Sequence, residues 1–80
     1  MRTDAIRSEV VRMVHQAPFR PFVLSMENGA HVTIGHPENI AFDPEGASPD
    51  FYVISGIIRL FGTFHAVSSV ATADSVEHLA

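Results

Sequence analysis

Cysteine, lysine and tryptophan do not occur in this chain of 80 residues. Without cysteine there is no disulfide framework, no thiolate zinc site and no cysteine nucleophile. Without lysine, 5 arginines face 9 acidic residues, and the formal net charge is -4. Nucleic-acid modules usually carry a basic surplus, so nucleic acid is a partner that the charge disfavours.

Long apolar runs are also missing. The most apolar stretch runs from Phe51 to Phe64 and is interrupted by Arg59. It is shorter than the roughly 20 apolar residues that a membrane-spanning helix needs. Charges break every apolar run near the N-terminus, so no signal-peptide core is present. These absences predict a cytoplasmic protein without a membrane partner.

The length allows one small domain, residues 1–80, with one modest core. Residues 3–17 are predicted to form a helix, with Thr3 as its N-cap and Pro18 as its stop. Its apolar side chains share one face at a 3.6-residue period. They are Ile6, Val10, Met13, Val14 and Ala17. A helix this short is unstable alone, so that face must dock.

Two hairpins follow the helix. In the first, a three-residue loop, Glu27-Asn28-Gly29, places six apolar residues on one face, with Gly29 in a left-handed conformation. The predicted pairs are Met26 with Ala30, Leu24 with Val32, and Phe22 with Ile34. In the second, a Ser55-Gly56 turn pairs Val53 with Ile58, Phe51 with Leu60, and Tyr52 with Arg59.

Three further segments complete the prediction. A short strand spans Ile40 to Phe42, and residues 64–71 contain a short 3₁₀ turn and a last strand. Residues 74–80 are a tail or a short helix. The fold class is therefore mainly β with one N-terminal helix (α+β), in which residues 18–73 form a small barrel of five or six antiparallel strands.

Two resemblances support this architecture. The segment PFRPFVLSMENGAHVTIGHPENIAF, from Pro18 to Phe42, resembles a family of small uncharacterised bacterial proteins that share P-F-x-P-F, an N-G or D-G turn and H-P-E. The stretches VLSMENG and TFHAVSSV are similar to those of the bacterial Sm-like RNA chaperone. That likeness implies an Sm-like or SH3-like barrel, with His65 at the position of the chaperone's uridine-binding histidine.

Catalytic patterns are missing from the sequence. No serine lies in a nucleophile elbow, and no glycine-rich phosphate loop occurs. The possible metal ligands do not have the spacing of a metal site, so we expect no metal, no cofactor and no enzymatic activity. They are His31, His36, His65, Glu38 and Asp43. The candidate ligand or RNA contacts are Arg20, His36, Glu38, Arg59 and His65.

The second hairpin leaves Ile54, Ile57 and Phe61 outside the core face. Two explanations stay open: the helix covers these residues within one chain, or they form an interface with a protein partner or another copy. We predict a protein-interaction or self-assembly module. The alternative is a weak single-stranded RNA binder, in which Tyr52, Phe61 and Phe64 stack on bases.

Overall fold

A computed structural model describes residues 2–43 and 45–73. Its elements are α1 (Arg2–Val14), β1 (Phe22–Met26), β2 (His31–Ile34), β3 (Ile40–Phe42), β4 (Asp50–Ser55), β5 (Ile58–Thr63) and β6 (Val67–Thr72), with 3₁₀ turns at Pro37–Asn39 and Phe64–Ala66. The predicted short strand and the turn-then-strand ending are confirmed. The tail or short helix predicted for residues 74–80 lies outside the described residues.

The six strands form two antiparallel sheets of three strands each, ordered β2-β1-β6 and β3-β4-β5. The prediction of an α+β fold with one helix and five or six antiparallel strands is confirmed, and the number of strands is six. Among the described residues, hydrogen bonds do not join the two sheets into one closed barrel. One sheet therefore ends at β5.

The helix α1 differs from the prediction at both ends. It starts at Arg2, so Thr3 is within the first turn rather than at the N-cap, and it ends at Val14 rather than Ala17. The segment before Pro18 is disfavoured in helical conformation, and Ala17 is exposed, so continuing the helix would bury nothing there. Val10 and Met13 are buried, and the helix packs on β6 and the second 3₁₀ turn.

The first hairpin has the predicted register. Phe22 pairs with Ile34 and Leu24 with Val32. The Met26 N–H donates to the Ala30 carbonyl at 2.8 Å. Gly29 has φ +91°, in the left-handed region that the three-residue loop requires. The continuous hydrophobic face therefore predicted the loop length correctly.

The second hairpin corrects the predicted register by two residues. Ser55 pairs with Ile58, Val53 with Leu60, Phe51 with Gly62, Tyr52 with Phe61, and Ile54 with Arg59. The loop is therefore Gly56-Ile57. Gly56 has φ +60° at the first loop position and Ile57 has a negative φ, which is the type II′ pattern. Because the shift is even, each side chain keeps its predicted face.

Both sheets and the helix share one core. Its fully buried side chains are Val10, Phe22, Leu24, Ile34, Phe51, Val53, Phe64 and Val67. The Phe64 ring packs on the β3-β4-β5 sheet, with its centroid 4.9 Å from that of Phe51 and 5.7 Å from that of Phe42. Burying each such side chain contributes about 1.5–3 kcal/mol, so this core supplies the main stabilisation.

Candidate functional site

Five large apolar side chains of the second hairpin are exposed, and we call them the hairpin patch. They are Tyr52, Ile54, Ile57, Ile58 and Phe61. Ile57 is 100% exposed at the turn and Phe61 is 70% exposed on β5. The predicted interface residues Ile54, Ile57 and Phe61 all belong to the patch. Contiguous exposed apolar groups of this kind mark interaction sites more often than isolated ones do.

Tyr52 and Phe61 form the centre of the hairpin patch. They are directly opposite each other on β4 and β5, and their ring centroids are 6.4 Å apart at an interplanar angle of 49°. Tyr52, Ile54 and Phe61 alternate with the buried Phe51 and Val53, so they project from the outer face of the sheet. The corrected register thus brings together two aromatic rings that the predicted register separated.

The helix does not cover the hairpin patch. It packs on β6 and the second 3₁₀ turn, at the other side of the core. In the part of the chain that the structure describes, the patch keeps the exposures given above. The explanation in which α1 covers these residues within one chain is therefore wrong for the described residues.

Arg59 lies beside the hairpin patch and faces Ile54 across the hairpin. It is exposed, as is Arg20 in the connector after the helix. Two other arginines have hydrogen-bond partners within the chain. Arg12 forms an ion pair with Glu9, which lowers the pKa of the Glu9 carboxyl through a hydrogen bond. Arg7 donates to the Asp43 carbonyl, so few described cations remain for an anionic partner.

His65 lies at a cleft of about 460 Å³ between the start of α1, residues 46–49 and the second 3₁₀ turn. Its Nδ1 is 3.1 Å from the Thr3 hydroxyl oxygen. Arg7 also lines this cleft, with Cζ 5.8 Å from the centroid of the Phe42 ring. The sequence did not single out Arg7, because its partners are more than thirty residues away in the chain.

The Arg7 side chain connects the helix to the loop between β3 and β4, which contains Asp43 and Glu45 and which we call the acidic loop. Its Nε is buried without a hydrogen-bond partner among the described residues. A Cβ at Gly46 would lie 3.3 Å from Arg7 Cζ, so the loop approaches the guanidinium closely. Asp4 also lines the cleft, so the cleft contains a carboxylate as well as the guanidinium. The arrangement has a structural explanation and offers no purely cationic pocket.

His36 and Glu38 mark a bend without joining a site. The His36 N–H donates to Asn39 Oδ1 at 2.9 Å, and the Asn39 N–H donates to the His36 carbonyl at 3.0 Å. These bonds account for the turn through backbone groups. Both side chains are exposed, and Glu38 forms no ion pair with Arg20 in the described structure.

One serine–histidine pair was not anticipated. Ser25 Oγ lies 3.1 Å from His31 Nδ1 on the exposed face of the first hairpin. A catalytic pair also needs a third group that orients the base, and His31 has no carboxylate partner among the hydrogen bonds of the described residues. No group of three or more histidine, aspartate or glutamate residues with metal-binding geometry occurs within 2–43 and 45–73.

No family model, curated protein or solved structure matches this chain. Within the described residues, no helix combines the length and the apolar character needed to cross a membrane. The candidate function therefore depends on the hairpin patch and its surroundings.

Proposed function

We propose that this protein is a non-enzymatic interaction module that associates with copies of itself or with another protein through the hairpin patch. The single observation that carries the proposal is the exposure of Phe61, Ile57 and their apolar neighbours on one hairpin. Leaving such groups in water forgoes the roughly 25 cal/mol per Å² that their burial would return. An interface recovers that free energy.

The proposal includes a fold of Sm-like or SH3-like type. Two short antiparallel sheets enclose one core, and 3₁₀ turns connect β2 to β3 and β5 to β6. A small barrel that stays open has edge strands, which proteins cover, shorten or pair with other chains. An interaction module built on such a frame uses its open edge.

A second candidate function is weak binding of single-stranded RNA. The neighbouring rings of Tyr52 and Phe61, with Arg59 on the same face, supply the aromatic and cationic groups that stack on bases. The net charge of -4 opposes it, because phosphate neutralisation provides most non-specific affinity. We expect any such binding to be no tighter than about 10⁻⁵ M at physiological salt.

The solution mass, measured by light scattering with and without single-stranded oligo-uridine, tests the proposal. We expect a mass above that of one 8.7 kDa chain at high protein concentration, unchanged by the oligonucleotide. A monomer that gains mass only with oligo-uridine, and loses it in Arg59→Glu or His65→Ala, would favour the RNA alternative. A monomer under all conditions would restrict the proposal to a partner of another sequence.

Charge placed on the patch should abolish self-association. Phe61→Lys puts an ammonium group at its centre, and we expect the variant to be monomeric and folded; Ile57→Lys should weaken association in the same direction. The matched control is Ser69→Lys, which adds the same charge to an exposed position of β6 in the other sheet. If Ser69→Lys dissociates the protein as fully as Phe61→Lys, the patch is not the interface.

A further inference from the structure

We propose that the interacting partner is a second copy of this chain, joined by antiparallel pairing of β5 with β5 about a two-fold axis at Leu60. This inference rests on the proposed function and makes it specific. It predicts a continuous six-stranded sheet, β3-β4-β5 of one copy followed by β5-β4-β3 of the other. The backbone edge, the charges and the side-chain volumes of β5 each support it.

The outer edge of β5 carries unpaired backbone groups. Ser55 and Ile58 flank the two-residue loop, so they form a hydrogen-bonded pair, and the pairs alternate from there. Ile58, Leu60 and Gly62 therefore direct their N–H and C=O groups toward β4. Arg59 and Phe61 direct theirs away from it, toward an edge at which no other described strand is hydrogen-bonded. These groups form a template for one added strand.

A two-fold axis restricts the registers that this template permits. Hydrogen bonding between two β5 strands requires Arg59 and Phe61 of one strand to lie opposite odd-numbered residues of the other, because only those residues direct their backbone groups outward. An axis at Arg59 places two guanidinium groups directly opposite each other, which is destabilising. An axis at Phe61 leaves Ile58 beyond the paired segment. An axis at Leu60 avoids both penalties.

The axis at Leu60 also gives each exposed side chain of β5 a matching neighbour. Arg59 lies opposite Phe61 of the second copy, twice, within the range of a cation–π contact. Ile58 lies opposite Gly62 of the second copy, where no side chain competes for space. The buried Phe51 ring of that copy packs against the same glycine from the core side. On the outer face, Tyr52, Ile54 and Phe61 of the two copies become neighbours.

A cysteine map tests the register, since the chain contains no cysteine of its own. With the axis at Leu60, the two Leu60 Cα atoms are about 4.5 Å apart, within the range of a disulfide. The equivalent distances for Arg59 and Phe61 are about 8 Å or more, because each is offset by two residues along the strand. We therefore expect Leu60→Cys to form an intermolecular disulfide at least 10-fold faster than Arg59→Cys or Phe61→Cys.

The outcomes separate this inference from the proposed function. A dimer in which Arg59→Cys or Phe61→Cys cross-links fastest overturns the register. A self-associated protein in which none of the three cross-links overturns β5 pairing and leaves the hairpin patch as an interface of another geometry. A wild-type protein that stays monomeric overturns both the β5 dimer and self-assembly.

A second variant does not depend on Leu60, which contributes to the core. Arg59→Pro removes an N–H that points away from β4, so the hairpin within one chain keeps its bonds. We expect this variant to remain folded by circular dichroism and to be monomeric. Arg59→Ala, which keeps the N–H, should lose at most about 10-fold in affinity. Arg59→Pro with an unchanged dimer mass would contradict β5 pairing.

Discussion

Three glycines, Gly29, Gly46 and Gly56, hold the chain in conformations that a side chain would strain. Gly29 closes the first hairpin with φ +91°, and Gly46 lies in the acidic loop with φ +82°. A β-carbon in this region is penalised by the neighbouring carbonyl. At Gly29 the space around a new β-carbon is empty, so the penalty there comes from the backbone alone.

We expect Gly29→Ala to lower the free energy of unfolding by about 1 kcal/mol. Urea denaturation at neutral pH measures this change. The control is Gly35→Ala, because Gly35 has no positive φ and its new β-carbon would meet only Asn39 Oδ1 at an ordinary 3.9 Å. Equal losses in the two variants would show that the left-handed conformation of Gly29 is not the cause.

Asp43 should make the stability of the folded protein depend on pH in the acid range. Its carboxylate accepts the N–H groups of Glu45 and Ala47, both at 2.9 Å. The bond from Glu45, aided by Ala47, Ser48 and the charge of Arg7, lowers the Asp43 pKa below its ordinary value of 3.8. The ionised form is therefore favoured by folding, and its contribution is present above pH 3.8 and lost as the pH falls through the folded pKa.

The variant Asp43→Asn tests that dependence. We expect it to melt at a lower temperature than the wild type at pH 7, because one acceptor oxygen becomes a donor. The difference should shrink as the pH falls below 3.8, where the wild-type carboxylate becomes protonated. Melting temperatures of both proteins across the acid range measure it. A difference in melting temperature that is constant with pH would show that ionisation of the Asp43 carboxylate is not the cause.

The burial of single residues was only partly predictable from the sequence. The exposure of Ile54, Ile57 and Phe61 was predictable from period-two alternation. Alternation along β1 places Val23 on the face opposite Phe22 and Leu24, yet Val23 is buried, because β1 is the central strand and Thr33 and Ala71 flank this residue. Alternation identifies two faces, but only the completed sheet shows which strand has neighbours on both sides.

At the scale of elements, the helix and the first sheet depend on each other. Val10 is fully buried, and Met13 is nearly so, against a core that the sheets alone would leave open. A helix of 13 residues is marginal in water without such packing. Loss of the apolar face should therefore remove the packing of the helix and weaken the shared core.

We expect Val10→Asp to unfold the domain or to detach the helix, with a loss of about 3 kcal/mol or more, because an unpaired charge would be buried. Val14→Asp should cost less, since Val14 is only partly buried. Ser8→Asp is the matched control on the exposed side of α1. Native hydrogen-exchange protection of the helix in Val10→Asp would contradict its role in the core.

Element positions were predictable and the second hairpin's register was not. Asn28-Gly29 and a continuous apolar face both favour one loop in the first hairpin, so the local signals agree. In the second hairpin, Ser55-Gly56 and Gly56-Ile57 place the same side chains on the same faces. Hydrophobic patterning does not distinguish registers that differ by two residues. The positive φ of Gly56 at the first loop position is what favours the Gly56-Ile57 loop.

For the whole molecule, net charge distinguishes self-association from RNA binding. Each chain carries -4, so two copies repel each other. Raising NaCl from about 50 to 300 mM screens that repulsion and should strengthen self-association by a few-fold. Binding of oligo-uridine should instead weaken over the same range. Sedimentation at both salt concentrations measures the direction, and dissociation by salt would contradict an apolar interface between acidic copies.

The overall class was predictable because alternating segments with short connections form antiparallel sheets. The division into β2-β1-β6 and β3-β4-β5 was not, since it depends on β6 returning to β1. Phe22 and Thr72, which pair at that junction, are fifty residues apart. No local pattern carries information about so distant a partner.

That junction also sets an order of events during synthesis. The β4–β5 hairpin needs only neighbouring residues and can form early, whereas the sheet containing β1 stays one strand short until Thr72 has been made. Closing so long a loop costs entropy before any contact repays it, so this step slows folding. Until then one edge of β1 is unpaired. At that edge a nascent chain is most prone to form incorrect pairs with other chains.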